Sequence, residues 1–231
     1  MTSAWQNEAL LSSLTGVPVV HYDPDAFERQ AEHLIAASHQ IYQRGWSPAT
    51  SSNYSVRLNA QCCAITVSGK HKGELGLNDI MAVDLDGRPL MDRKPSAETL
   101  LHTQLYQRDP TIGAVLHTHS VRATVLTMTC ATTDTLALRG YELLKAFQGV
   151  TTHDTVLPIP VFDNTQDMPA LCAQVEQRMQ QAGTGVAYLI RGHGLYTWAD
   201  SLQACMRHLE ALEFLLECEW QRYLACRERA V

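Results

Sequence analysis

The chain has 231 residues, 45% of them apolar and 18% charged, and a formal net charge of -6. That balance is ordinary for a globular chain in water, and the acidic excess argues against nucleic acid or an anionic membrane as the main partner, since both would repel it. No apolar run approaches the roughly 18 residues that span a bilayer. The opening stretch MTSAWQNEALLSS also lacks the charged start and apolar core of a secretory signal, so a cytoplasmic protein is expected.

In chain order, the first clear element is DPDAFERQAEHLIAASHQIYQRG. Asp23 is placed to cap a helix, Pro24 suits its first turn, and Gly45 can end it in a left-handed conformation. Phe27, Ala31, Leu34, Ile35, Ser38, Ile41 and Tyr42 recur at helical spacing. Three extended segments follow, NYSVRL, CCAITVSG and IMAVDLDGRPL, parted by Asn-, Ser- and Gly-rich turns. A second helix is expected over Ala97 to Gln107, then a strand in AVLHTH, a short helix near Glu142 and an extended TVLPIPVF. A helix from Pro169 to Ala182 ends near Gly183. VAYLIRGHGLYTWA reads as a hairpin with His193 in its turn, and Asp200 or Ser201 caps a long amphipathic helix through about Tyr223. The seven cysteines form no C-x-x-C pair and read as free thiols. Several strand pairs are joined too tightly for parallel crossovers. The expected architecture is therefore a single α/β domain over residues 1–231, with a central mixed, largely antiparallel sheet flanked by helices.

The chemistry concentrates in a few stretches. In AVLHTHS, His117 and His119 sit two apart on a strand and so share a face, close enough to converge on one metal ion. A hydrogen-bonded pair at a strand end is the alternative. In IRGHGLYTW, the glycines on either side of His193 would let the backbone bring one imidazole into a crowded place; an incidental His in a solvated turn is the bland reading. Glu98, in KPSAETLLH, lies near a helix start, where a carboxylate also simply stabilises the first turn, and His102 one turn on could pair with it. Three histidines with an open fourth position is the pattern of a catalytic zinc site. Two turns suit an anion: TSSNYS supplies Ser51, Ser52 and Asn53, and VSGKHKG supplies Ser68, Gly69, Lys70 and Lys72, with Ser96 adding a hydroxyl. Ser/Gly turns with lysines are also ordinary solvated loops.

Taken in this order, SSNYSVR, VSGKHKG, KPSAET, AVLHTHS and LIRGHGLYTW resemble the class II aldolase/adducin family, and the likeness covers nearly the whole chain. The resemblance implies the family fold, one zinc ion per subunit held by His117, His119 and His193, a small phosphorylated sugar as substrate, and a homotetramer. It implies phosphate binding at Ser52, Asn53, Ser68, Gly69 and Ser96, with Lys70 beside them. Ala97 stands where aldolases often have a second serine. RGYELLKAFQGVTTHDTVLPIPVFDNTQDM most resembles the branch that dehydrates 5-methylthioribulose 1-phosphate in methionine salvage, where a glutamate at the Glu142 position is the acid/base group. Locally Glu142 looks like an ordinary helix-surface carboxylate. Two glutamates thus compete for one role: Glu142 for proton transfer with Glu98 in support, or Glu98 itself, as in the aldolase branch. The rival readings are an aldolase that cleaves a ketose phosphate by the same enediolate chemistry and, more distantly, an adducin-like module without catalysis.

Overall fold

The computed structural model describes residues 20–129 and 134–228. Helix α1 (Pro24–Gln43) begins where Asp23 accepts a hydrogen bond from the Asp25 backbone, and it stops at Gly45, whose φ of 77° only glycine adopts without cost. Strands β1 (Asn53–Arg57), β2 (Cys62–Thr66) and β3 (Ile80–Asp84) follow as an antiparallel run. Helix α2 (Thr99–Arg108) starts two residues later than its expected Ala97 and leads to β4 (Ala114–Thr118). Beyond them come α3 (Val121–Thr129), β5 (Thr135–Arg139), β6 (Val156–Phe162), α4 (Met168–Ala182), β7 (Ala187–Ile190), β8 (Gly194–Ala199) and α5 (Leu202–Glu228).

The strands form one sheet in the order β3-β2-β1-β4-β8-β7-β6-β5. Among the described residues only β6 and β7 pair in parallel, and α4 is the crossover that this pairing requires. The fold is a mixed α/β one with a largely antiparallel sheet, as expected. Side chains alternate across the strands. Ala114 and Leu116 of β4 pack with α1, α3 and α5 through Leu34, Ile41, Leu126, Leu209, Leu212 and Leu216. Val115 faces the other way, toward α2 and α4, among Leu101, Leu105, Tyr106, Leu171 and Val175. Burying each such leucine or isoleucine is worth roughly 1.5–3 kcal/mol, so both helical layers are firmly seated.

Three differences from the sequence reading concern the middle of the chain. The short helix expected near Glu142 is a single 3-10 turn, Glu142–Ala146. Helix α3 and strand β5 were not foreseen. VRATVLTMT is rich in β-branched residues, which disfavour helix, yet Ser120 caps it by accepting a hydrogen bond from the Ala123 backbone at 3.2 Å. Finally, β4 ends at Thr118, so His119 lies just past the strand, its backbone N–H donating to the Trp46 carbonyl at 2.9 Å. Cys130, one of the expected free thiols, lies outside the described residues; the other six are unpaired.

Candidate active site

β4 and β8 lie side by side with His117 opposite Tyr196, which carries the β7–β8 turn to the end of β4. Residue 193 therefore arrives next to residues 117 and 119. Gly194 permits the approach: a Cβ there would stand 2.0 Å from the Thr118 carbonyl oxygen and 3.1 Å from His117 Cε1. Gly192 takes a φ of 63°, the left-handed geometry that turns the chain before His193. As a result His117, His119 and His193 each offer one nitrogen, all within 4.8 Å of one another.

The ring orientations follow from their hydrogen bonds. His117 is fully buried and stacked on Tyr196, with centroids 4.0 Å apart and planes at 15°. Its Nδ1 lies 3.0 Å from the Leu195 carbonyl, which can only accept, so Nδ1 carries the proton and Nε2 presents a lone pair. That lone pair faces His119 Nε2 at 2.8 Å. His193 Nδ1 is 3.3 Å from Asn164 Oδ1, again turning Nε2 inward. Burial is the largest influence on both strand-end imidazoles: it drives His117 well below the usual histidine range and His119 down to about 4. His117 and His193 turn Nε2 inward while their Nδ1 atoms are anchored from behind, the arrangement that a divalent cation requires. The donor set fits a metal, and the three imidazoles alone would accept several.

Glu98 stands beside the trio. Its Oε1 is 3.1 Å from His193 Nε2 and its Oε2 is 3.6 Å from His117 Nε2. Burial works against its charge, but His117, His193 and the Asn53 amide outweigh this and hold the carboxyl well below the usual range. Asn53 donates to Glu98 at 2.6 Å, so its side chain is directed to the carboxylate. Ser52 is buried beside it with a φ of 73°, a strained geometry for a residue with a side chain. The Ser68–Gly69 turn and Ser96 come together because Val67 bridges to Pro95 and the Ser68 N–H donates to the Lys94 carbonyl. Of the two lysines in that turn, Lys70 points away to Asp79 at 3.0 Å. Lys72 is the buried one, donating to the carbonyls of Lys70 at 2.6 Å and Thr50 at 3.3 Å, and so tying the two turns together. Burial pushes its ammonium down to about 8.

Glu142 sits elsewhere. Its side chain is 70% exposed on the 3-10 turn, in contact with Lys145 and His153 rather than with the trio. Lys145, first among its influences, lowers its pKa. Sequence reasoning had given Asn164 and Tyr196 no role, and neither lies at a spacing that announces one. His102 was seen only as a possible partner of Glu98; it meets Asn53 instead.

Residues 32–220 match the family described as Class II Aldolase and Adducin N-terminal domain, and the chain belongs to that family. Class II aldolases are metal-dependent, in keeping with the histidine trio. Among its relatives, the chain is 56% identical to the methylthioribulose-1-phosphate dehydratase of Alcanivorax borkumensis, over 91% of this chain and 98% of that one. It is 53% identical to the enzyme of the same name from Marinobacter nauticus, over 86% and 96%. Solved structures share the fold: an L-fuculose-1-phosphate aldolase from Thermus thermophilus superposes with a TM-score of 0.68 at 21% identity, covering 86% of this chain and 97% of that one. A sugar-phosphate aldolase from Thermotoga maritima gives 0.63 at 15%, covering 86% and 96%.

Proposed function

We propose that the chain is a zinc-dependent dehydratase that converts 5-methylthioribulose 1-phosphate to 2,3-diketo-5-methylthiopentyl 1-phosphate in the cytoplasm, as a step of methionine salvage. The observation that carries the reading is the converging trio His117, His119 and His193 with Glu98 against it, in a chain more than half identical to relatives of that name. A divalent ion held by the three imidazoles supplies Lewis-acid stabilisation of developing negative charge, worth several kcal/mol.

The remaining work falls to the chain's own groups. Ser52, Ser68, Gly69 and Ser96 surround the phosphate, with Lys72 supplying the positive charge and Lys70 at the rim. Two carboxylates are available for the proton at C3. Glu98 accepts a hydrogen bond from Asn53 and stands beside the trio, where it is placed to orient substrate. Glu142 stands at the position that the dehydratase branch uses for acid/base work, although within the single chain it lies apart from the trio, paired with Lys145 and His153. On that likeness we assign to Glu142 the removal of the C3 proton and its return to the departing C4 hydroxyl, and to Glu98 the placing of substrate. General acid–base help of this kind contributes about 10²–10⁴-fold. A homotetramer is what the family likeness implies, and Val121, Met128 and Phe214 are apolar side chains exposed in the single chain.

The test is to supply 5-methylthioribulose 1-phosphate and identify the products. The dehydratase gives a dicarbonyl of unchanged carbon count; two shorter fragments instead would establish an aldolase. Glu142→Gln should keep its metal and lose at least about 100-fold in turnover. A fully active Glu142→Gln beside a dead Glu98→Gln would reverse the two roles.

A further inference from the structure

Behind Glu98 lies a column of buried polar groups, ordered by two matching periodicities. Asn53, Ser55 and Arg57 occupy alternate positions of β1 and face one side of the sheet, about 6.6 Å apart. Glu98, His102 and Tyr106 follow one another every fourth residue along α2 and its cap, about 6 Å apart. Repeats so nearly equal allow the two rows to interdigitate. Asn53 Nδ2 donates to Glu98 Oε2 at 2.6 Å, and Asn53 Oδ1 meets His102 Nε2. Ser55 Oγ lies 2.8 Å from His102 Nδ1 and 2.8 Å from the Tyr106 hydroxyl. Arg57 closes the column: its Nη2 donates to the Tyr106 carbonyl at 2.8 Å, and its guanidinium lies 4.7 Å from the centre of that ring.

Every donor in this column has a determined direction. An ionised Glu98 can only accept, so the Asn53 amide must turn its NH₂ toward it. That leaves Oδ1 toward His102, whose Nε2 must carry a proton. Burial pushes His102 down to about 3, so the ring is neutral and Nδ1 is an acceptor. Ser55 must then donate to Nδ1, and the Tyr106 hydroxyl donates to Ser55. All the links point the same way, toward the carboxylate.

We propose that Tyr106, Ser55, His102 and Asn53 form a one-way hydrogen-bond relay that orients the Glu98 carboxylate, with His102 as the positioning residue that fixes the Asn53 amide. The proposal rests on the reading of Glu98 as part of the reactive pocket. Without the His102 donor the amide is free to turn over and present its oxygen to Glu98, and two facing acceptors repel. A histidine that merely fills the core would carry no such directional requirement.

Two readouts on the metal-loaded full chain test this. In ¹H–¹⁵N spectra of protein labelled at histidine nitrogen, with the His102 signals identified by their loss in His102→Gln, the ring is expected as the neutral Nε2–H tautomer at pH 7. An Nδ1–H tautomer or an imidazolium overturns the relay. In kinetics, His102→Leu is expected to lower kcat about 10–100-fold with metal content essentially unchanged. His102→Gln, which keeps a donor for Asn53 and an acceptor for Ser55, should restore most of that loss. A leucine variant with normal kcat, or a folded glutamine variant with no recovery, contradicts the proposal. Should the leucine variant fail to fold, Ser55→Ala removes the donor to Nδ1 alone and must lower kcat in its place. If the wild-type chain does not turn over the proposed substrate, the functional reading falls, while the tautomer still decides the relay.

Discussion

The two glycines around His193 answer to different constraints, and their substitution separates them. Gly192 has a left-handed φ, but an added Cβ would meet only the flexible Met128 side chain, at 3.5 Å. Gly192→Ala should therefore cost about 1–2 kcal/mol in backbone strain and leave zinc affinity nearly intact. At Gly194 the obstacle is the Thr118 backbone itself, which cannot turn aside. Gly194→Ala is expected to cost about 1–3 kcal/mol or more, and to weaken zinc binding because the hairpin must withdraw from β4. Thermal denaturation and a zinc titration on both variants check this; equal zinc affinities would show that the close approach does not set the site. At this scale the sequence was readable where chemistry and spacing coincide. H-x-H beside a strand and a His between glycines are such places. Lys72 was not singled out over Lys70, because which of two lysines turns inward depends on packing against Thr50, a residue outside the turn.

Helix α5 braces the metal-side strand from behind. Strand alternation turns Thr118 away from His117, toward α5, where its hydroxyl donates to Glu213 Oε1 at 3.4 Å. Burial is the first cause that pushes Glu213 up to about 7, above the ordinary 4.5. Between those values the folded chain holds a proton that the unfolded chain has released. The associated stability is fully present below about pH 4.5 and is lost as pH rises through 7, an effect on the order of 1–3 kcal/mol. Glu213→Gln should accordingly melt higher than wild type at pH 8, with the gap closing by pH 4.5; a gap that does not vary with pH would contradict it. Among the elements, α1, α4 and α5 were legible from caps and apolar spacing. Helix α3 was hidden by its β-branched residues, whose helical state comes from packing Ala123 and Leu126 into the core. The region around Glu142 carries a helical-looking ELLKA but buries only Leu144 within it, too little to extend a single turn.

For the whole molecule, the decisive fact is that β8, late in the chain, pairs with β4 near the centre of the sheet. Local sequence does not encode that pairing. The expectation that His193 joins the other two came from family likeness, and the strand order supplies its physical reason. The same order sets β1 on the other side of β4, which brings Asn53 opposite His117 and gathers the Ser- and Gly-bearing turns, the carboxylate and the imidazoles at one end of the sheet. On the proposed function, this end of the sheet holds one divalent ion on which turnover depends. That dependence is tested most directly by adding zinc stepwise to chelator-treated protein while following the dehydration of 5-methylthioribulose 1-phosphate. Activity should rise from none to a plateau at one zinc per chain in the wild type and fail to rise at stoichiometric zinc in His193→Ala. Full activity before any zinc is added, or an unchanged titration in His193→Ala, would contradict it.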